Sequence, residues 1–147
     1  MGYTKQQGQH FKDRYHNDPE FRNRILKHIH NSQMRYPFRT WANKVIQGHR
    51  KREYPLEITR PELEEMGKQH PICAYCGRTL KYGIQNGKKK WHHDSASIDV
   101  IDIAKPSTKD NLQIICVHCN SAKARLNDEK FKDWIKQLYF KFFGPIK

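Results

Sequence analysis

Four cysteines in two pairs constrain this chain more than any other feature. Cys73 and Cys76 form one C-x-x-C, in ICAYCGRTL, and Cys116 and Cys119 form the other, in IICVHCNSAK. Two knuckle-spaced pairs, well separated along the chain, suit four thiolates around one tetrahedral zinc ion. Two disulfides are the rival arrangement. Met1–Gln9 lacks the apolar core of a secretory signal, and a reducing cytoplasm keeps thiols available to metal. Cysteines within a C-x-x-C are also too close for a comfortable bridge outside redox enzymes, and a redox role calls for a lone C-x-x-C at a helix start. The expectation is a cytoplasmic protein of a bacterium or a phage-infected cell, not secreted, in which zinc pins two distant segments together.

With 147 residues of which 36% are hydrophobic, the chain has material for one domain and an appendage, and a zinc staple would help a small core. No stretch is apolar enough to cross a membrane. The formal net charge is +13, with nine histidines in addition, a balance that favours a polyanionic partner, above all nucleic acid. No basic amphipathic anchor for anionic lipid is evident. Residues 1–60 hold 13 Lys/Arg against 5 Asp/Glu, so the N-terminal part is expected to grip phosphates, which gives affinity and salt dependence but little base specificity.

Along the chain, residues 1–17 read as a flexible basic arm. Asp18 can cap a helix with Pro19 at its first position, and Phe21, Ile25, Leu26 and Ile29 make its apolar stripe. A second helix fits Phe38–Arg50, with Phe38, Trp41, Ala42, Val45 and Ile46 on one face. Leu56–Ile58 is a short extended piece, and Thr59 with Glu62 forms a capping box for a short helix carrying Leu63 and Met66. Residues 18–69 are thus expected as a helical DNA-binding region. After the first knuckle comes a hairpin over Thr79–Gly83, a turn at Asn86–Gly87, and Lys88–His92. Ser97–Ile101 reads as a strand, Asn111–Cys116 leads into the second knuckle, and Asn120–Arg125 starts a helix. A last helix runs from Asp128 to Phe142, with Phe131, Trp134, Ile135, Leu138 and Phe142 on a face expected to be core.

Between the knuckles lies SASIDVIDIAKPSTKDNLQIICVHCNSAK. It resembles the HNH, or ββα-metal, endonucleases, in particular a zinc-knuckle subgroup common in phages and mobile elements. The pattern there is C-x-x-C-G, then S-[LI]-D-R-I-D, then K-G-Y-T-x-D-N, then C-x-x-C-N-x-x-K. The matching residues are Cys73, Cys76 and Gly77; Ser97, Ile98, Asp99, Ile101 and Asp102; Lys105, Thr108, Asp110 and Asn111; and Cys116, Cys119, Asn120 and Lys123. The resemblance covers about residues 70–126. It implies an α+β fold, a ββα-metal core stapled by a four-cysteine zinc site within residues 70–147, with a helical basic region before it and a C-terminal helix.

Phosphodiester hydrolysis needs a hard divalent ion to neutralise charge on the scissile phosphate, and Mg²⁺ or Mn²⁺ takes few protein oxygens. The resemblance makes Asp99 the strand ligand and Asn120 the helix ligand; capping of the helix is the competing role for Asn120. Asn111 then orients the loop through backbone hydrogen bonds, and Asp102 stabilises the same loop. Two departures stand out. Val100 occupies the place where standard members carry the histidine that activates water, and Pro106–Ser107 replaces Gly-Tyr. A general base therefore comes from elsewhere, or from water at the metal alone. His93 and His92 are the nearest candidates, with phosphate contact as their alternative. His118, inside the second knuckle, is expected to contact phosphate or solvent. Lys88, Lys89 and Lys90 are either a solvated run or a phosphate contact, and Lys123 and Arg125, on the helix of Asn120, are expected to contact DNA.

The leading expectation is a metal-dependent DNA endonuclease of HNH type acting on double-stranded DNA. Restriction, homing and phage genome processing are all compatible with it. The alternative is a non-catalytic zinc-stabilised module that binds nucleic acid, which Val100 supports. RNA as the target is a third reading, without an RNP aromatic motif in its favour. Cutting both strands at a palindrome favours a homodimer by symmetry, though the sequence displays no dimer seam.

Overall fold

A computed structural model describes residues 4–52, 56–83 and 92–145, which divide into two compact units, residues 1–36 and 37–147. In the first unit, α1 (Lys5–Asn17) and α2 (Pro19–Arg35) form a helical hairpin. Residues 5–17, expected as a flexible arm, are helical because Thr4 and Gln7 make a reciprocal capping box and Phe11 meets Phe21 edge-on at 5.5 Å. Asp18 caps α2 through Phe21 N–H at 2.9 Å, ahead of Pro19, as expected. That backbone bond, helped by Arg14, holds the Asp18 carboxyl below its ordinary range. No residue of α1 or α2 is buried.

The boundary between the units falls at Tyr36–Pro37, inside the span 18–69 expected as one helical region. The residue before a proline is pushed out of the helical conformation, and Tyr36 has φ −128°, ψ 67°. The second unit opens with α3 (Pro37–Lys51), which packs on α4 (Arg60–Gln69). The Thr59–Glu62 capping box starts α4 as the sequence predicts. Gly67 is what lets the two helices close. A Cβ there would lie 3.1 Å from the Trp41 ring and 3.2 Å from that of Tyr82.

The sheet has two antiparallel strands, β1 (Ala96–Val100) and β2 (Leu112–Cys116), paired from Ala96 opposite Cys116 to Val100 opposite Leu112. A 3-10 turn over Lys109–Asn111 precedes β2, and α5 (Val117–Lys123) follows it without a break. The last helix is α6 (Asp128–Phe143). One core joins these elements: Trp41 and Ala42 of α3, Leu63 and Met66 of α4, Ile98 of β1, and Leu112, Ile114 and Ile115 of β2. Trp41 Nε1 donates to the Ala96 carbonyl at 2.9 Å, which satisfies its polar atom while tying α3 to β1.

Two expectations change, over α5 and α6, and one is not reached. The helix expected over Asn120–Arg125 begins at Val117 and ends at Lys123, where Ala124 takes φ +50°. The hairpin around Asn86–Gly87, with Lys88, Lys89 and Lys90, lies outside the described residues. Among the described residues, Thr79 and Lys81 make isolated bridges to Ile72 and Ser95. The α6 face expected as core is buried only at Phe131; Trp134, Ile135, Leu138 and Phe142 are exposed. No helix among the described residues is long and apolar enough to cross a membrane.

Candidate metal centre and the strand–helix seam beside it

The two knuckles meet. The four Sγ atoms of Cys73, Cys76, Cys116 and Cys119 all lie within 4.8 Å of one another, and none is in a disulfide. An ion about 2.3 Å from each sulfur of a tetrahedron would set the sulfurs roughly 3.8 Å apart, and the Cys76 and Cys116 sulfurs are separated by 3.8 Å. The cluster can therefore hold a zinc ion. Local backbone geometry builds it. Cys73 N–H bonds the Arg78 carbonyl and Gly77 N–H the Cys73 carbonyl, a tight reversal that Gly77 permits at φ +66°. Ala74 N–H then reaches the Ile114 carbonyl and Cys116 N–H the Cys73 sulfur at 3.2 Å, so the first knuckle is sewn to the end of β2. Burial opposes ionisation of Cys73, but the N–H groups of Cys76, Cys116 and Tyr75 outweigh it and bring the thiol down to about 7. Burial raises Cys116 and Cys119; the sulfurs of Cys116, Cys76 and Cys73 add to the rise at Cys119, while at Cys116 the Cys119 N–H and thiol oppose it.

Because Cys116 caps α5, the position of this helix is set by the cysteine cluster. α5 lies along β1 and meets it in a series of contacts. At its start, Val117 N–H bonds the Ser95 carbonyl and His118 N–H the His93 carbonyl. In its middle, Asn120 Nδ2 donates to Ser97 Oγ at 2.6 Å and to the Ile98 carbonyl at 3.3 Å. At its end, Lys123 Nζ bonds Asp99 Oδ1 at 2.9 Å and the Val100 carbonyl at 2.8 Å. Asp99 and Asn120 thus belong to one seam. Asn120 is not the helix cap, since Cys116 has that role. With its amide nitrogen engaged by β1, the atom it has for a cation is its oxygen.

Asp99 is more deeply committed than its motif suggests. Its side chain is 6% exposed and that of Lys123 1%, a buried ion pair. Gln113, directly opposite on β2, donates from Nε2 to Asp99 Oδ2 at 2.8 Å. The same nitrogen reaches the Tyr75 hydroxyl at 2.8 Å and Asp128 Oδ1 at 3.3 Å; Tyr75 in turn donates to Asp128, which Lys132 pairs at 2.6 Å. Two carboxylates, each with its own lysine, are therefore bridged by an amide and a phenol. Burial, then Asp128, pushes the Tyr75 hydroxyl far above its ordinary range. For a magnesium-class ion the fit is partial. Each Asp99 oxygen keeps a second lone pair, but a lysine ammonium already neutralises the carboxylate.

The remaining expected residues fall as follows. Asn111 staples its loop, its oxygen accepting from Asp102 N–H at 2.9 Å and its nitrogen donating to the Asp102 and Pro106 carbonyls at 2.9 Å. Asp102 accepts from Ala104 N–H and pairs Lys105, and these partners hold its carboxyl below the ordinary range. Lys123 is buried and not a surface contact, and Arg125 lies exposed beyond the end of α5. His92 and His93 are exposed; His93 stands beside His118 at the start of the seam, whereas Asp99 is at its end. The five residues from His118 to Lys123 correspond to roughly 7 Å of helix rise. Gln113, Tyr75 and Asp128 were not picked out from the sequence. The one available signal was strand alternation, which assigns Gln113 to a face of β2 but not to Asp99 as its partner. Comparison with family models, with curated proteins and with solved structures finds no match.

Proposed function

We propose that this chain is a metal-dependent endonuclease of HNH type that hydrolyses phosphodiester bonds in double-stranded DNA. Zinc at the four cysteines has the structural role, and Mg²⁺ or Mn²⁺ at Asp99 and Asn120 the chemical one. The observation that carries this reading is the order and geometry of β1, β2 and α5. A two-stranded hairpin runs directly into a helix whose start is set by the cysteine cluster, and that helix lies along β1 so that Asn120 and Asp99 share one seam. When bound there, a divalent ion would offset charge on the scissile phosphate and its leaving oxygen. Asn120 would offer its amide oxygen while its nitrogen stays on β1, and Gln113 would keep the Asp99 carboxylate from rotating. The basic helices α1, α2 and α3 would supply phosphate contacts, with eleven Lys/Arg against three Asp/Glu over residues 5–51.

One observation favours the second reading, a non-catalytic zinc-stabilised module that binds nucleic acid. Both Asp99 oxygens are already bonded, one to a buried ammonium, and Val100 is neither base nor phosphate clamp. Plasmid nicking separates the two. The zinc-loaded chain should nick supercoiled DNA when Mg²⁺ or Mn²⁺ is added, and Asp99→Asn and Asn120→Ala should lose at least about a hundredfold in rate, as expected for the several kcal/mol a bound ion supplies. Asn is chosen at position 99 because its amide oxygen can still accept from Lys123, where alanine would leave the ammonium only the Val100 carbonyl. DNA binding without metal-stimulated cutting would establish the module instead.

A further inference from the structure

His93 and His118 stand at the opposite end of the α5 seam from Asp99, and nothing in the nuclease reading uses them as a pair. Their Nδ1 atoms are 3.4 Å apart, with ring centroids at 5.2 Å and planes at 78°. Both side chains are exposed. The backbone holds them in place: His118 N–H donates to the His93 carbonyl at 3.2 Å and Val117 N–H to the Ser95 carbonyl at 2.9 Å. His118 also belongs to the knuckle turn between Cys116 and Cys119, whose shape the cluster sets.

The spacing discriminates between uses. A shared proton gains little, because 3.4 Å exceeds the ordinary range of about 2.7–3.2 Å for hydrogen bonds from N–H groups. Two imidazole nitrogens on one tetrahedral zinc, each at about 2.0–2.1 Å, would sit roughly 3.3–3.4 Å apart. Nitrogens at right angles on a square-planar or octahedral ion would sit roughly 2.9 Å apart. We propose that His93 and His118 form a second cation site, separate from the four cysteines, for a borderline divalent ion of tetrahedral preference. Zinc is the natural occupant and cobalt its spectroscopic stand-in, with the remaining positions open to water or an anionic oxygen. Magnesium, which takes oxygen ligands, is excluded. Among the described residues the four cysteines are the one group of three or more such ligands, so the imidazole pair binds more weakly than the thiolates and exchanges its ion. The site stands whether or not the chain cuts DNA.

The test is titration of the full-length, zinc-loaded chain with Co²⁺, followed by visible absorption. Imidazole-bound cobalt gives weak d–d bands, whereas exchange into the cysteines adds intense thiolate-to-cobalt absorption in the near ultraviolet, so the two are counted apart. The expected result is one added equivalent without the thiolate signal, displaced by Zn²⁺ and not by Mg²⁺. His93→Ala and His118→Ala should each weaken it at least about tenfold, since loss even of an outer partner costs that much, with the cysteine-bound zinc retained. His93 lies outside the knuckle, so its variant decides the matter if His118→Ala disturbs zinc. No added equivalent in the unaltered chain, binding that survives His93→Ala, or displacement by Mg²⁺ would each overturn the proposal.

Discussion

A lysine ammonium with 1% of its side chain exposed must find its counter-charge inside the protein, and Lys123 finds the Asp99 carboxylate and the Val100 carbonyl. Removing one member of such a pair leaves the other charge buried and uncompensated, which costs about 3–5 kcal/mol. Lys123→Met should therefore lower stability by about that amount in urea denaturation. Adding Asp99→Asn should recover part of the loss, because the residual charge is gone. A single-variant change below about 1 kcal/mol would mean that the ammonium is solvated and free for DNA. The basic character of Lys123 was legible in C-x-x-C-N-x-x-K; its direction was not. Which way a helical side chain points depends on the phase of the helix, and α5 starts at Val117 and not at Asn120. Asn111 was more legible, since its expected role required only backbone groups close in sequence.

At the scale of elements, α6 illustrates what periodicity can and cannot say. Its apolar stripe is where the sequence puts it, yet only Phe131, 2% exposed and edge-on to Tyr75 at 5.0 Å, is covered. Spacing defines a face; whether another element packs on that face is a separate matter. α6 is held by its first turn, through Asp128 N–H to the Ile101 carbonyl and the Asp128 carboxylate to Tyr75 and Gln113. Burial opposes ionisation of Asp128, but Lys132, the Tyr75 hydroxyl and the Gln113 amide outweigh it and hold the carboxyl below its ordinary value. A depressed carboxyl stabilises the fold above its unfolded value, about 3.9, and the benefit is lost as pH falls through the depressed folded value. Asp128→Asn should therefore be less stable than the unaltered chain at neutral pH, with the gap closing below about pH 4. Denaturation series from pH 7 to pH 2 check this; a gap independent of pH would remove charge from the explanation.

For the whole molecule, the second unit hangs on a cluster that joins the turn before β1 to the end of β2 and the start of α5. Metal bound only by the folded arrangement contributes its binding energy to folding. A strong chelator should lower the melting temperature by more than about 10 °C, the size expected for a loss of several kcal/mol, and zinc should restore it. An unchanged melting temperature would refute structural zinc.

What could be decided from the sequence by itself is local or periodic. Each C-x-x-C marks a metal knuckle, Thr59 and Glu62 a capped helix start, Asp18–Pro19 another, and alternation a strand through Asp99, because each depends on residues within a turn or two. Which polar groups share a buried seam was settled only by tertiary structure. Pairing Asp99 with Gln113 and Lys123, Tyr75 with Asp128, and His93 with His118 joins residues 14 to 53 positions apart. Such pairs exist only once strand register and helix phase have been set together by the packing of the core, and no local propensity encodes either.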